Sequence, residues 1–200
     1  MTQIYLMRHG YVANPQKVFY SEGFPLSDKG AQEIVRLAHD FKTAGISINV
    51  IVSSPYLRTR ETAEIMAQAL NTPEVTFDDR LKEWQVGPWF DRTFLEFNTT
   101  TKYDQEPPPL VLPPEIEPLQ VMADRMTVAI CDWADRYREK NILIVSHREP
   151  LVTALLSLQQ KSFDEVHRVS FPEGSVWKLE FDDQGKFLKA EKIFDESEGK

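Results

Sequence analysis

The sequence predicts an α/β protein, a three-layer α/β/α sandwich with a largely parallel central sheet and a C-terminal antiparallel hairpin. Short apolar runs at 4–7, 48–52 and 141–145 alternate with longer stretches whose apolar residues recur at helical spacing, as in strand–helix–strand units. Near the C-terminus, 176–181 and 187–194 read as two strands joined by the turn Asp182-Asp183-Gln184-Gly185. Two hundred residues, 42% hydrophobic and 27% charged, suffice for one sizeable core, so the chain reads as a single domain over 1–200.

Ile4-Tyr5-Leu6-Met7 is a short buried strand that stops at Arg8-His9-Gly10. A polar, aromatic loop follows to Phe24, and Ser27 is the expected N-cap of a helix carrying Ala31, Ile34, Leu37, Ala38 and Phe41 on one face, closed near Gly45. His39 falls on the flank of that helix as a surface residue. The second strand, 48–52, runs into Ser53-Ser54-Pro55, a serine cap with proline at the first helical position, and predicts a helix over 56–70. Arg58 and Arg60 lie in its first turns, where the helix dipole disfavours cations, so either they face solvent and are tolerated or something anionic needs one of them.

After a short strand at 75–77 the pattern dissolves. Residues 85–118 read as an irregular, lid-like insertion with one short helix near 92–98 and the densest proline cluster of the chain, Pro107 to Pro118. Trp84, Trp89, Phe90, Phe94 and Phe97 could serve a lid or a dimer contact. An amphipathic helix then runs from Leu119 to about Arg138, with Cys131 as a packing residue. The most hydrophobic strand, 141–145, ends in Ser146-His147-Arg148, and Pro150 opens an apolar helix to Leu158. Residues 162–168 form a short helix or turn in which His167 is a surface residue, and 196–200 is a charged tail.

A net charge of −8 opposes general nucleic-acid binding and requires any anion site to be a local basic pocket. One cysteine gives neither a disulfide framework nor a thiolate metal cluster. No apolar run approaches the roughly 18 residues of a membrane span, and no targeting segment is evident, so a cytoplasmic enzyme is expected. Arg8-His9 and His147-Arg148 both stand at strand ends, where a parallel sheet binds ligands, and Arg58 can join them. Two histidines with several arginines make a poor metal site and a good phosphate site, because guanidinium groups bind phosphate oxygens in pairs.

Leu6-Met7-Arg8-His9-Gly10, the Leu-Ser-x-x-Gly of 26–30, Ser53-Ser54-Pro55-Tyr56-Leu57-Arg58-Thr59, Glu83 with Gly87 and Trp89, and Val145-Ser146-His147 stand in the order found in the histidine phosphatases. The chain resembles that superfamily, which includes the cofactor-dependent phosphoglycerate mutases, over nearly its whole length. Arg8 to Pro15 followed by Phe19-Tyr20 resembles a small bacterial phosphatase branch. The resemblance implies that His9 is the nucleophile, that Arg8, Arg58 and His147 hold the phosphoryl oxygens, and that Glu83 is the general acid and base. Asn14 would be a further phosphate or substrate donor. Neither a metal nor another cofactor is required, since the arginines supply the positive charge.

Val12, Tyr11 and Arg148 depart from residues common in the family, and Arg148 is expected either to reach a second anionic group of the substrate or to pair with Glu149. The mutases of the family are longer, which favours a phosphatase acting on a small phosphorylated metabolite. A mutase, or a scaffold that binds a phosphorylated partner without turnover, is the alternative.

Overall fold

The two most apolar strands occupy the middle of the sheet. In the computed structural model, which describes residues 1–72 and 75–195, β1 (Thr2–Arg8) pairs in parallel with β4 (Asn141–Ser146), and the pair is buried on both faces. With β2 (Val50–Ser53), β3 (Val75–Phe77), β5 (Val176–Phe181) and β6 (Phe187–Phe194), the six-stranded order is β3-β2-β4-β1-β5-β6. The first four strands of that order are parallel, while β5 runs antiparallel to β1 and β6 antiparallel to β5. The predicted sandwich with its C-terminal hairpin is therefore observed.

Strand alternation divides the core into two. Tyr5 and Met7 of β1 and Leu143 and Val145 of β4 face α1 (Asp28–Thr43) and α2 (Leu57–Leu70). Ile4, Leu6, Ile142 and Ile144 face the opposite way, onto α4 (Leu119–Arg136) and α5 (Arg148–Leu158). Ser27 caps α1 as expected, accepting a hydrogen bond from the Gly30 N–H at 3.0 Å. Gly30 is required there by close approach, because a Cβ would sit 2.1 Å from the Tyr11 carbonyl oxygen. Cys131 packs against the α4 side of the core, and His39 is exposed.

Several boundaries differ from expectation for a physical reason. Helix α2 starts at Leu57, with Tyr56 rather than Ser54 as its N-cap; the Ser54 hydroxyl accepts the Tyr56 N–H at 3.4 Å and also lies against His147. Helix α5 begins at Arg148, ahead of Pro150, which sits in its first turn. The short helix of the irregular segment, α3 (Phe94–Thr101), starts later than expected, where Thr93 and Glu96 form a reciprocal capping box. Of the aromatics expected to serve a lid or a dimer contact, Trp84, Trp89 and Phe97 are buried in the α4-side core together with Tyr103 and Ile116, while Phe94 stays exposed. The expected tail at 196–200 lies outside the described residues. Among the described residues, no helix is long and apolar enough to cross a membrane.

Candidate active site

The register of the two central strands decides the geometry of the site. Arg8 lies opposite Ser146, so the residues that follow, His9 and His147, leave adjacent parallel strands side by side. The His9 N–H donates to the Ser146 carbonyl at 3.1 Å, and the two imidazole rings meet edge to face, 5.4 Å between centroids. Both side chains are buried. The His9 Nδ1 lies 2.8 Å from the Gly10 carbonyl oxygen. A carbonyl only accepts, so Nδ1 carries the proton and Nε2 presents a lone pair. His147 Nε2 lies 2.9 Å from the Ser54 hydroxyl. With that hydroxyl donating, the proton of His147 sits on Nδ1, which has no hydrogen-bond partner.

Arg58 enters from the first turn of α2 and is fully buried. Its Nη1 donates to the Ser21 carbonyl at 3.1 Å and its Nη2 reaches Glu83 Oε2 at 3.4 Å, between the rings of Tyr20 and Tyr56. Arg8 donates to the Phe171 carbonyl at 3.0 Å and stands 3.8 Å from Glu173. The Nε atoms of both arginines are buried without a partner. Buried donors left open in this way are costly unless an acceptor fills them.

Glu83 completes the cluster. Its Oε1 accepts the Trp84 N–H at 2.9 Å, while Oε2 lies 3.4 Å from both Arg58 Nη2 and His147 Nδ1. One guanidinium fixes the loop that carries it. Arg125, from α4, donates through Nη1 to the Arg80 and Lys82 carbonyls at 2.8 Å each and through Nη2 to the Glu83 carbonyl at 3.1 Å. It also forks onto the Glu117 carboxylate, at 2.6 Å from Nε and 2.8 Å from Nη2. Glu117 ties back by accepting the Trp84 indole N–H on its carbonyl and the Gln85 N–H on its carboxylate. Sequence reasoning missed both Arg125 and Glu117; on a periodic amphipathic pattern a polar-face arginine looks like any other.

Burial and positive neighbours set the protonation states. Burial first, then the Arg58 and Arg8 charges, hold His9 well below the usual histidine value. His147 is depressed in the same way, with His9 and Arg125 adding to the effect. Burial raises the Glu83 carboxyl above the ordinary glutamate value, against the opposing pull of Arg58. The site therefore favours neutral imidazoles beside a carboxyl able to hold a proton, within a positive field. His9, Glu83 and His147 also offer ligand atoms within 4.8 Å of one another, a two-histidine, one-carboxylate set. The Arg58 guanidinium competes with a cation for that carboxylate and repels it.

Two expected site residues are committed elsewhere. The Asn14 amide closes its own loop, donating to the Val18 carbonyl at 2.9 Å and accepting the Val18 N–H at 3.1 Å. Arg148 pairs with Glu149 at 2.7 Å and directs Nη2 to the Val166 and Val169 carbonyls. Of the two roles expected for Arg148, the structure thus displays the pair with Glu149. It still lines the chamber of about 330 Å³ that opens beyond His9 and Glu83, together with Phe19, Tyr20, Phe94 and Tyr103. His167, expected at the surface, lines this chamber too and donates through Nε2 to the Tyr103 carbonyl.

Comparisons with known proteins agree with this geometry. The sequence model of the histidine phosphatase superfamily (branch 1) matches residues 4–193. A probable phosphoglycerate mutase GpmB of Citrobacter koseri is 32% identical over 156 residues, 74% of this chain and 70% of that protein. YhfR of Bacillus stearothermophilus superposes with a TM-score of 0.83 at 27% identity, covering 94% of this chain and 95% of its own. The phosphoserine phosphatase of Entamoeba histolytica, solved with 3-phosphoglyceric acid, shares the fold with a TM-score of 0.82 at 22% identity, covering 98% of each chain.

Proposed function

Because this chain belongs to the histidine phosphatase superfamily, we propose that it hydrolyses phosphomonoesters of small metabolites through a phosphohistidine on His9, with Glu83 as general acid and base. The observation that carries this reading is the ring of open donors, Arg8 Nε, Arg58 Nε and His147 Nδ1, around an imidazole whose Nε2 is unprotonated. His9 Nε2 attacks phosphorus and the bond to the leaving oxygen breaks as that oxygen takes the Glu83 proton. Arg8, Arg58 and His147 stabilise the charge that spreads over the equatorial oxygens. Water then gives a proton to Glu83 and its oxygen to phosphorus, the P–N bond breaks, and inorganic phosphate leaves with His9 neutral again.

In this reading residues 1–200 form one catalytic unit, 85–118 wall its chamber, and the arginines supply the positive charge without a metal. An acidic body with one basic pocket suits a small phosphorylated substrate of the cytoplasm better than a nucleic acid. The phosphoglycerate mutase name carried by the relatives keeps a second reading open, in which the phosphoenzyme returns its phosphoryl group to a second hydroxyl.

The test is phosphate release from a panel of phosphorylated metabolites with EDTA present, alongside detection of acid-labile phosphohistidine. Wild type should turn over and His9→Ala should lose about three orders of magnitude or more. Phosphate moved between hydroxyls without release would favour the mutase. Binding of phosphorylated compounds with neither release nor phosphohistidine would leave a scaffold.

A further inference from the structure

The chamber beyond Glu83 differs in character from the phosphate end. Its walls are Phe19, Tyr20, Trp84, Phe94 and the ring of Tyr103, which is held by Trp84 at 4.8 Å and His167 at 4.9 Å between centroids. The Tyr103 hydroxyl is buried and has no hydrogen-bond partner. Arg148, the cation at this end, is paired through Nη1 with Glu149 and directs Nη2 to the Val166 and Val169 carbonyls. The Glu149 and Asp104 carboxylates line the same space.

From these placements, and resting on the phosphatase reading above, we infer that the leaving-group chamber selects uncharged alcohols with an apolar body and one hydrogen-bond acceptor, with Tyr103 as the specificity-determining residue. An apolar body replaces water against the aromatic walls, and the acceptor fills the open Tyr103 hydroxyl. A carboxylate on the leaving group would meet Asp104 beside an ion pair, Arg148–Glu149, whose charges already offset each other, and would give up hydration that this wall does not replace. The chamber thus disfavours a phosphoglycerate-like leaving group, although the relatives bear that name.

Three esters of one frame separate the contributions: benzyl phosphate, 4-(hydroxymethyl)benzyl phosphate and 4-carboxybenzyl phosphate. Wild type should prefer the hydroxymethyl over the carboxy ester by about ten-fold or more in kcat/KM. Tyr103→Phe should lower the hydroxymethyl-to-benzyl ratio about five-fold. Glu149→Gln, by freeing the Arg148 charge, should raise the relative rate of the carboxy ester. Ratios taken within each variant cancel differences in yield of folded protein. A carboxy ester cleaved as well as the neutral ones, or a hydroxymethyl-to-benzyl ratio untouched in Tyr103→Phe, would overturn the inference and leave the phosphatase standing. Turnover of no ester, with no phosphohistidine formed, would remove both.

Discussion

The phosphate end of the site hangs on consecutive residues of the two central strands, whereas the leaving-group end is walled mainly by a segment with little regular structure. Arg8, His9, Ser146 and His147 are fixed by sheet register, and Arg58 by the first turn of a helix. Phe94 and Tyr103 are fixed by aromatic contacts among Phe19, Trp84 and Phe97. The first end needs a rigid field that fits one invariant group. The second needs a shape, which contacts between side chains can alter without touching the sheet.

This contrast has a kinetic signature. Arg58→Met should lower kcat/KM about 1,000-fold on aryl phosphates, whose leaving oxygens need no proton from Glu83, and by the same factor for each of them, because the lost charge would face the phosphoryl oxygens. On alkyl phosphates the change at Glu83, its ion-pair partner, adds to the loss. A loss that differed among aryl leaving groups would break the division between the two ends. The Arg58→Met variant removes a partner of both Glu83 and the Ser21 carbonyl, so its melting temperature should fall, and circular dichroism at the assay temperature checks that the compared protein is folded.

Glu83 stands at the seam. Glu83→Gln should cost about 100-fold in kcat/KM on an alkyl phosphate and far less on 4-nitrophenyl phosphate, whose leaving oxygen needs no proton, while kcat, which includes the shared hydrolysis of the phosphohistidine, should fall on both. The pH profile follows from the two shifts. Activity rises as His9 loses its proton, below the ordinary histidine value near 6.5, and falls as the raised Glu83 carboxyl ionises. Glu83→Gln should erase the falling limb and leave the rising one in place; persistence of the falling limb would assign it to another group.

Arg125 touches no substrate position, yet it holds the carbonyls of Arg80, Lys82 and Glu83. As a positioning residue it should act through Glu83. Arg125→Met should reduce kcat/KM about ten-fold on an alkyl phosphate and much less on 4-nitrophenyl phosphate, with partial rescue in Arg125→Lys. An equal loss on both substrates would make it a purely structural residue.

The same division explains what could be read from the sequence. Arg8, His9 and His147 were legible because short apolar runs fix strand ends, and strand ends fix sites. Ser54 was read as a helix cap; its hydroxyl does accept the Tyr56 N–H ahead of the helix, but it also serves a histidine 93 residues away, which local spacing does not record. His167 and Tyr103 meet only when the irregular segment folds over the sheet, and no periodicity records such a contact. Arg148 looked free because its partner carboxylate is merely the next residue, a spacing that leaves the outcome to packing.

The smallest effect tests the phosphate end through stability. His9 and His147 are buried and held neutral, whereas in the unfolded chain each takes a proton below about pH 6.5. The unfolded state then binds more protons, so stability is level above that pH and falls beneath it, by about 1.4 kcal/mol per histidine per pH unit. Glu83 opposes this, since its raised folded value lets the native state take a proton first, but one carboxyl offsets only one imidazole. Thermal unfolding should therefore shift downward between pH 7.5 and 5.5. His147→Asn should shrink the shift by leaving His9 opposed by Glu83 alone. Tyr103→Phe should leave it unchanged, because burial pushes that phenol further up, away from this window. A wild-type unfolding temperature that stayed level to pH 5.5 would mean that the imidazoles acquire protons in the folded protein, and the neutral nucleophile at the phosphate end would fall with it.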